Sequence, residues 1–129
     1  MQVIKPSSLA APHGYNHGLL FPCGKILFVA GQIGWDQNGI MAEGLPSQFQ
    51  RALQNILEVV QSAGGTVDNI GRFIIYVKDK QDYLARRKEI GRAYRSIMGK
   101  HFPAMSLFVV KDLLEEGALV EIEATAILP

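Results

Sequence analysis

Two hydrophobic periods divide this chain. Apolar and β-branched runs at residues 26–30, 72–77, 105–110 and 119–128 read as strands, and shorter strands are expected near Val3 and near Leu19. Between them the period changes to that of a helix. Phe49, Leu53, Ile56, Leu57 and Val60 fall on one face, Ser47 with Gln50 predicts a capping box at its start, and Gly64-Gly65 predicts its end. A second helix is expected to begin at Asp79 as N-cap, to bring Tyr83, Arg87, Ile90, Tyr94 and Ile97 to one face, and to stop at Gly99. The order β-β-β-α-β-α-β-β predicts one α+β domain over residues 1–129. It should hold a mixed sheet of about six strands with both helices on one face.

Helices on one side leave the other side of the sheet bare. Residues 73–77 and 107–110 are apolar in both alternating sets, as in strands buried on both faces. An apolar sheet face without helices calls for other subunits to cover it, so a homo-oligomer is expected. The last strand is patterned differently. Val120, Ile122, Ala124 and Ala126 alternate with Leu119, Glu121, Glu123 and Thr125, so the two glutamates point away from the helices. Carboxylates at a subunit boundary are costly to bury alone. Either they form ion pairs, or at least one faces a wet cleft and does chemistry.

Composition narrows the function classes. At 129 residues, with 48% hydrophobic and 19% charged, the chain has the size and polarity of one globular domain. A net charge of +1 gives no global pull toward nucleic acid or membrane. The single cysteine, Cys23, allows no internal disulfide and fits a reducing cytoplasm. The opening Met1 to Pro6 lacks an apolar run, and no secretory signal is expected. His13, His17 and His101 lack metal-ligand spacing, and no glycine-rich nucleotide loop is present, so neither a metal nor a cofactor is expected.

The run Val29-Ala30-Gly31-Gln32-Ile33-Gly34, the Phe102-Pro103-Ala104 turn and the tail Gly117-Ala118-Leu119-Val120-Glu121-Ile122-Glu123-Ala124 resemble the YjgF/RidA family, also called L-PSP endoribonuclease-like. The resemblance implies a chorismate-mutase-like homotrimer with three clefts between subunits. Active members hydrolyse imines and enamines, and others are described as ribonucleases. It also implies site residues. Glu121 matches the carboxylate that activates water, Tyr15 the tyrosine bordering the cleft, and Ala30 stands beside Gly31 where many relatives carry serine. Backbone N–H groups around Met105 to Leu107 would polarise the substrate.

One family feature is missing. The arginine that grips the substrate carboxylate, in the family's Pro-Ala-Arg-Ser, is replaced in Pro103-Ala104-Met105-Ser106, and no arginine follows Arg95. A guanidinium makes two parallel hydrogen bonds to a carboxylate, whereas methionine offers neither charge nor donor. Poor hydrolysis of 2-imino acids is the expectation, unless Arg87, with Arg86 beside it, supplies the cation from the second helix. Three readings follow. The first is a hydrolase of the Rid type with Glu121 as base, and the second a ligand-binding trimer without catalysis. The third is an RNA-binding protein or endoribonuclease working through the basic stretch 78–100. Acids interleave with that stretch and no aromatic ladder accompanies it, which argues against RNA.

Overall fold

The computed structural model of the chain describes residues 1–129. Its strands are β1 (Gln2–Ile4), β2 (Gly18–Leu20), β3 (Lys25–Ile33), β4 (Ile70–Val77), β5 (Ala104–Val109) and β6 (Val120–Leu128). The helices are α1 (Leu45–Ser62), α2 (Lys80–Ala85) and α3 (Arg87–Met98), and a single 3₁₀ turn, Val67–Asn69, precedes β4.

The expected count of six strands holds, but they do not form one sheet. The main sheet has four strands in the order β3-β6-β4-β5, antiparallel except for the β4-β5 pair. The first two strands form a separate antiparallel ribbon. Each is three residues long, and Pro6, which has no N–H to give a ladder, lies just beyond β1.

The start of the first helix and the middle of the second show what local pattern reading misses. α1 does not use the predicted capping box: Gly44, at φ +83°, is its N-cap and no side chain caps it. Pro46 in the first turn sets the start, because its fixed φ suits that turn and its missing N–H needs no partner there. Leu45, 2% exposed, anchors this end in the core. Gln50 reaches across to the Ser96 hydroxyl instead, at 3.3 Å. The second predicted helix begins as expected, with Asp79 Oδ1 accepting from the Asp82 N–H at 3.0 Å, but it breaks at Arg86. No residue from Lys80 to Glu89 is fully buried, so packing does not hold a continuous turn there.

The core lies between the helices and one sheet face. Phe49, Leu53, Ile56 and Val60 of α1 and Ile90, Tyr94 and Met98 of α3 pack on Val29, Phe73, Ile75, Val120, Ile122 and Ala124. The alternation in β6 holds throughout: the five residues Val120, Ile122, Ala124, Ala126 and Leu128 are buried, while Glu121, Glu123 and Thr125 are half-exposed on the other face. On that face Phe28 is 79% exposed, Ile26 61% and Phe108 52%. The expected bare apolar face is therefore present. Its register shifts between Ile70 and Arg72 of β4 and again at a bulge between Val29 and Gln32, where Ala30 and Gly31 sit.

One buried polar side chain ties the loops to this core. Gln48 is 3% exposed, and its amide donates to Ala42 O and Gly117 O, both at 3.0 Å, while its Oε1 accepts from the Leu119 N–H at 2.7 Å. Gln48→Met keeps the volume and strands all three backbone groups. We expect a loss of about 2–4 kcal/mol, because buried groups left without partners carry their desolvation cost. Urea unfolding should show a lower midpoint with an unchanged m-value.

Candidate functional site

A cleft of about 460 Å³ opens on the helix side of the sheet, between α3, the edge strand β5 and the segment His13–Gly14–Tyr15. That volume lies within the roughly 300–1,000 Å³ of sites that hold drug-sized ligands. Met105 and Leu107 form its floor beside Ile75, because the parallel register sets Met105 next to Phe73 and Leu107 next to Ile75 on the core face. The mouth is fixed by Asn16, whose N–H donates to Pro103 O at 3.1 Å and whose side-chain amide donates to Phe102 O at 2.6 Å. His17 sits edge-on to Tyr15 with its Nε2 2.8 Å from Ala10 O, and so steadies the tyrosine.

The aromatic wall is rigid. Tyr94 stacks on Phe102 at 5.2 Å and meets Phe73 edge-on at 6.5 Å, and its hydroxyl donates to His101 O at 2.7 Å. His101 is itself buried, with Nε2 2.7 Å from Ile70 O. Burial pushes the Tyr94 phenol far above its ordinary range, so it remains a neutral donor at working pH. It shapes the cleft wall.

Two guanidinium groups line the same cleft, Arg87 and Arg95. Neither has a carboxylate within 4.0 Å, whereas Arg86 between helices pairs with Asp82 and Glu89. Arg87 lies close enough to Tyr83 to act on it: burial raises the phenol, and the Arg87 charge opposes that rise. The sequence reading singled out Arg87 but passed over Arg95 as part of a basic stretch. The signal was there, since Arg87, Gly91 and Arg95 recur every four residues on one helix face. His13, Tyr94 and Phe102 were missed too, because only the tertiary fold brings them to the cleft.

Glu121 is elsewhere. Its strand neighbour on β4 is Tyr76, one step out of phase with Phe73 and Ile75, so it projects from the bare face, opposite to Met105. Its carboxylate lies over the β3 bulge, where a Cβ on Gly31 would come within 2.8 Å of Cδ. A side chain at position 31 would displace this carboxylate from its place over the bulge. Glu121 accepts no hydrogen bond and makes no ion pair within the chain. Glu123 does have a partner, accepting from the Tyr76 hydroxyl at 2.5 Å, a bond that raises the tyrosine's pKa. One chain therefore holds the candidates in two groups: Tyr15, Arg87, Met105 and Leu107 at the cleft, and Ala30, Gly31 and Glu121 on the other face. Trp35 lies apart from both groups, at a shallow polar depression with Arg51 and Asn55, both of which donate to its carbonyl.

Residues 5–128 match the family model described as Endoribonuclease L-PSP. The chain is 30% identical to the RutC family protein UK114 of Drosophila melanogaster, over 98% of this chain and 88% of that one. It is 31% identical to a 2-iminobutanoate/2-iminopropanoate deaminase of Salmonella typhimurium, over 81% of this chain and 80% of that one. Among solved structures it is similar to YyfB of Yersinia pestis, described as a Rid family protein of unknown function, with TM-score 0.87, 32% identity and 98% of each chain covered.

The placement of Arg87 has a direct electrostatic check. A cation beside a phenol favours the phenolate, so removing it should raise the Tyr83 pKa further. We expect the Tyr83 ¹³Cζ resonance to titrate at higher pH in Arg87→Gln than in the wild type. An unchanged midpoint would place the guanidinium away from Tyr83 and the cleft.

Proposed function

Because the chain belongs to the YjgF/RidA family, we propose that it is a Rid-type small-molecule-binding protein that works as a homotrimer. Each cleft, in this reading, is completed by Glu121, Ala30 and Gly31 of a neighbouring subunit. One observation carries the reading: the two groups of site residues lie on opposite faces of the same sheet, and the face bearing Glu121 also bears exposed Phe28, Ile26 and Phe108. A surface of that kind fits subunit contact, and contact there would bring a carboxylate to the boundary.

The chemistry follows from the groups so gathered. β5 is an edge strand, so its outward backbone N–H groups have no ladder partner and are free to polarise a bound C=N group. Glu121 takes a proton from water as the water oxygen bonds to the imine carbon. That proton passes to the nitrogen to give a carbinolamine, and Glu121 then carries the remaining hydroxyl proton to the nitrogen as the C=O bond forms and the C–N bond breaks, giving an oxo compound and ammonia. Glu123 remains committed to Tyr76 and serves structure. The chain's likeness to a deaminase of 2-imino acids supports this reaction class. Methionine at position 105 instead favours a ligand held without a strand arginine.

The RNA reading has less support. Lys78 is paired with Asp112 and Arg86 with Asp82 and Glu89, so part of the basic stretch is already neutralised within the chain.

Sedimentation equilibrium at micromolar concentration should give three times the 14.2 kDa chain mass, and Phe28→Glu should shift the protein to monomer. A wild-type monomer would sink the shared-cleft reading. For catalysis, Glu121→Gln should lower imine turnover by about 10²–10⁴-fold with ligand affinity little changed, as expected for loss of a general base. Unchanged turnover in that variant removes Glu121 from the mechanism. If the wild type binds ligands in the cleft but turns over none, the protein is a binder only.

A further inference from the structure

The cleft has a feature that a strand-anchored site does not need: two cations without partners on one helix face, above an apolar floor. Arg87 and Arg95 stand two helical turns apart with Gly91 midway between them, and all three line the cleft. The glycine gives this arrangement its shape. A Cβ at position 91 would meet Arg95 Nη1 at 3.3 Å and Cζ at 3.9 Å, so the guanidinium lies back over the glycine at the cleft while the side chain stays exposed. Helical side chains lean toward the N-terminus, so Arg95 reaches back over Gly91 while Arg87 reaches toward Tyr83, and the two cations line the cleft one behind the other. The two like charges have no acid within 4.0 Å, although Arg86 next door has two. Two cations lining one cleft, neither with an acid partner, give it a positive field that favours a bound anion.

Below the cations, the lining admits no second charged group of the ligand. Ile75, Ile90, Met105 and Leu107 are aliphatic, and Tyr94 with Phe102 offers a stacked aromatic wall. A small 2-imino acid would leave most of the 460 Å³ unfilled. We propose that Arg87 and Arg95 are the anion anchor of this protein, and that they select monocarboxylates carrying a bulky aryl or branched alkyl body. The carboxylate sits at the α3 side of the mouth, and the body lies on Met105, Leu107 and Tyr94. Methionine at 105 then has a role: its flexible, polarizable side chain packs against an apolar body where a strand arginine would claim the acid. This inference rests on the reading that the cleft is the ligand site, and it adds which residues choose the ligand.

The test uses the intact protein with three probes: 3-phenylpropanoate, its neutral amide 3-phenylpropanamide, and acetate. Binding is followed by calorimetry and located by the methyl resonances of Ile90, Met105 and Leu107. We expect 3-phenylpropanoate to bind at least tenfold tighter than either other probe, with the methyl shifts confined to the cleft. Arg87→Gln and Arg95→Gln should each weaken the carboxylate by about three- to tenfold, as charge-assisted but solvent-exposed contacts do, and leave the amide unchanged. The double variant should bring carboxylate and amide to the same affinity. Arg92→Gln removes an equal charge from α3 outside the cleft and should change nothing. Raised salt should shrink the wild-type preference.

Three results overturn the proposal, and they are distinguishable. Carboxylate and amide binding equally in the cleft would leave it as the ligand site but remove the arginines from selection. An Arg92→Gln effect as large as that of Arg87→Gln would reduce the preference to overall charge. Absence of any methyl shift with all three probes would reject the cleft itself, and the site reading with it.

Discussion

Everything in this fold depends on the alternation along β6. It is a central strand, paired on one side with β3 and on the other with β4, so each of its side chains faces either the helices or the bare face. Small residues such as Ala124 and Ala126 on the inner side let α1 approach the sheet, and Val120, Ile122 and Leu128 fill the remaining depth. The outer side carries Glu121, Glu123 and Thr125 at half exposure. A slip of one residue would bury both carboxylates in the core and expose the apolar set. The strand is therefore fixed in register by the same residues that place Glu121 at the bulge of β3.

That register has a chemical result as well as a structural one. Tyr76 faces Glu121 and Glu123 because it pairs with the outer set, and its hydroxyl is drawn to Glu123. The two glutamates are thereby made unequal. One is engaged in a hydrogen bond, and the other is left with its carboxylate over a glycine. A base that is to activate water needs an uncommitted carboxylate, and of the two Glu121 has both oxygens free while Glu123 already accepts from Tyr76.

Much of this was legible in the chain itself. The β6 alternation, the core stripe of α1, the Asp79 cap and the bare apolar face all follow from local period, and local period is what side-chain burial obeys. The parts that were not legible depend on contacts between distant segments. Nothing near Arg86 marks a helix break; it comes from the lack of a buried anchor over ten residues. The start of α1 was misread because Ser47-Gln50 matched a capping pattern while Pro46 and the burial of Leu45 placed the boundary earlier. For the site, Met105 and Glu121 each lie on a correctly read strand, but their opposite facing depends on the β4 register that links them. No local pattern carries that information.

Methionine at position 105 does not leave the cleft without charge, because Arg87 and Arg95 line it from the helix. The two positions differ in physical character. An arginine on β5 would project from a backbone held by the β4 ladder, and its fork could be oriented tightly toward a carboxylate. Arg87 and Arg95 project from a helix surface, are exposed, and lose more side-chain freedom on binding an anion. Such an anchor contributes less per hydrogen bond and is more open to screening by salt. The apolar body of the ligand then has to supply a larger share of the affinity, at about 25 cal/mol per Å² of surface removed from water. Discrimination consequently moves from the geometry of the acid group to the size and shape of what it carries. The lining fits that shift: Tyr94 is locked by its bond to His101 and its stack on Phe102, while Met105 beneath it can adapt.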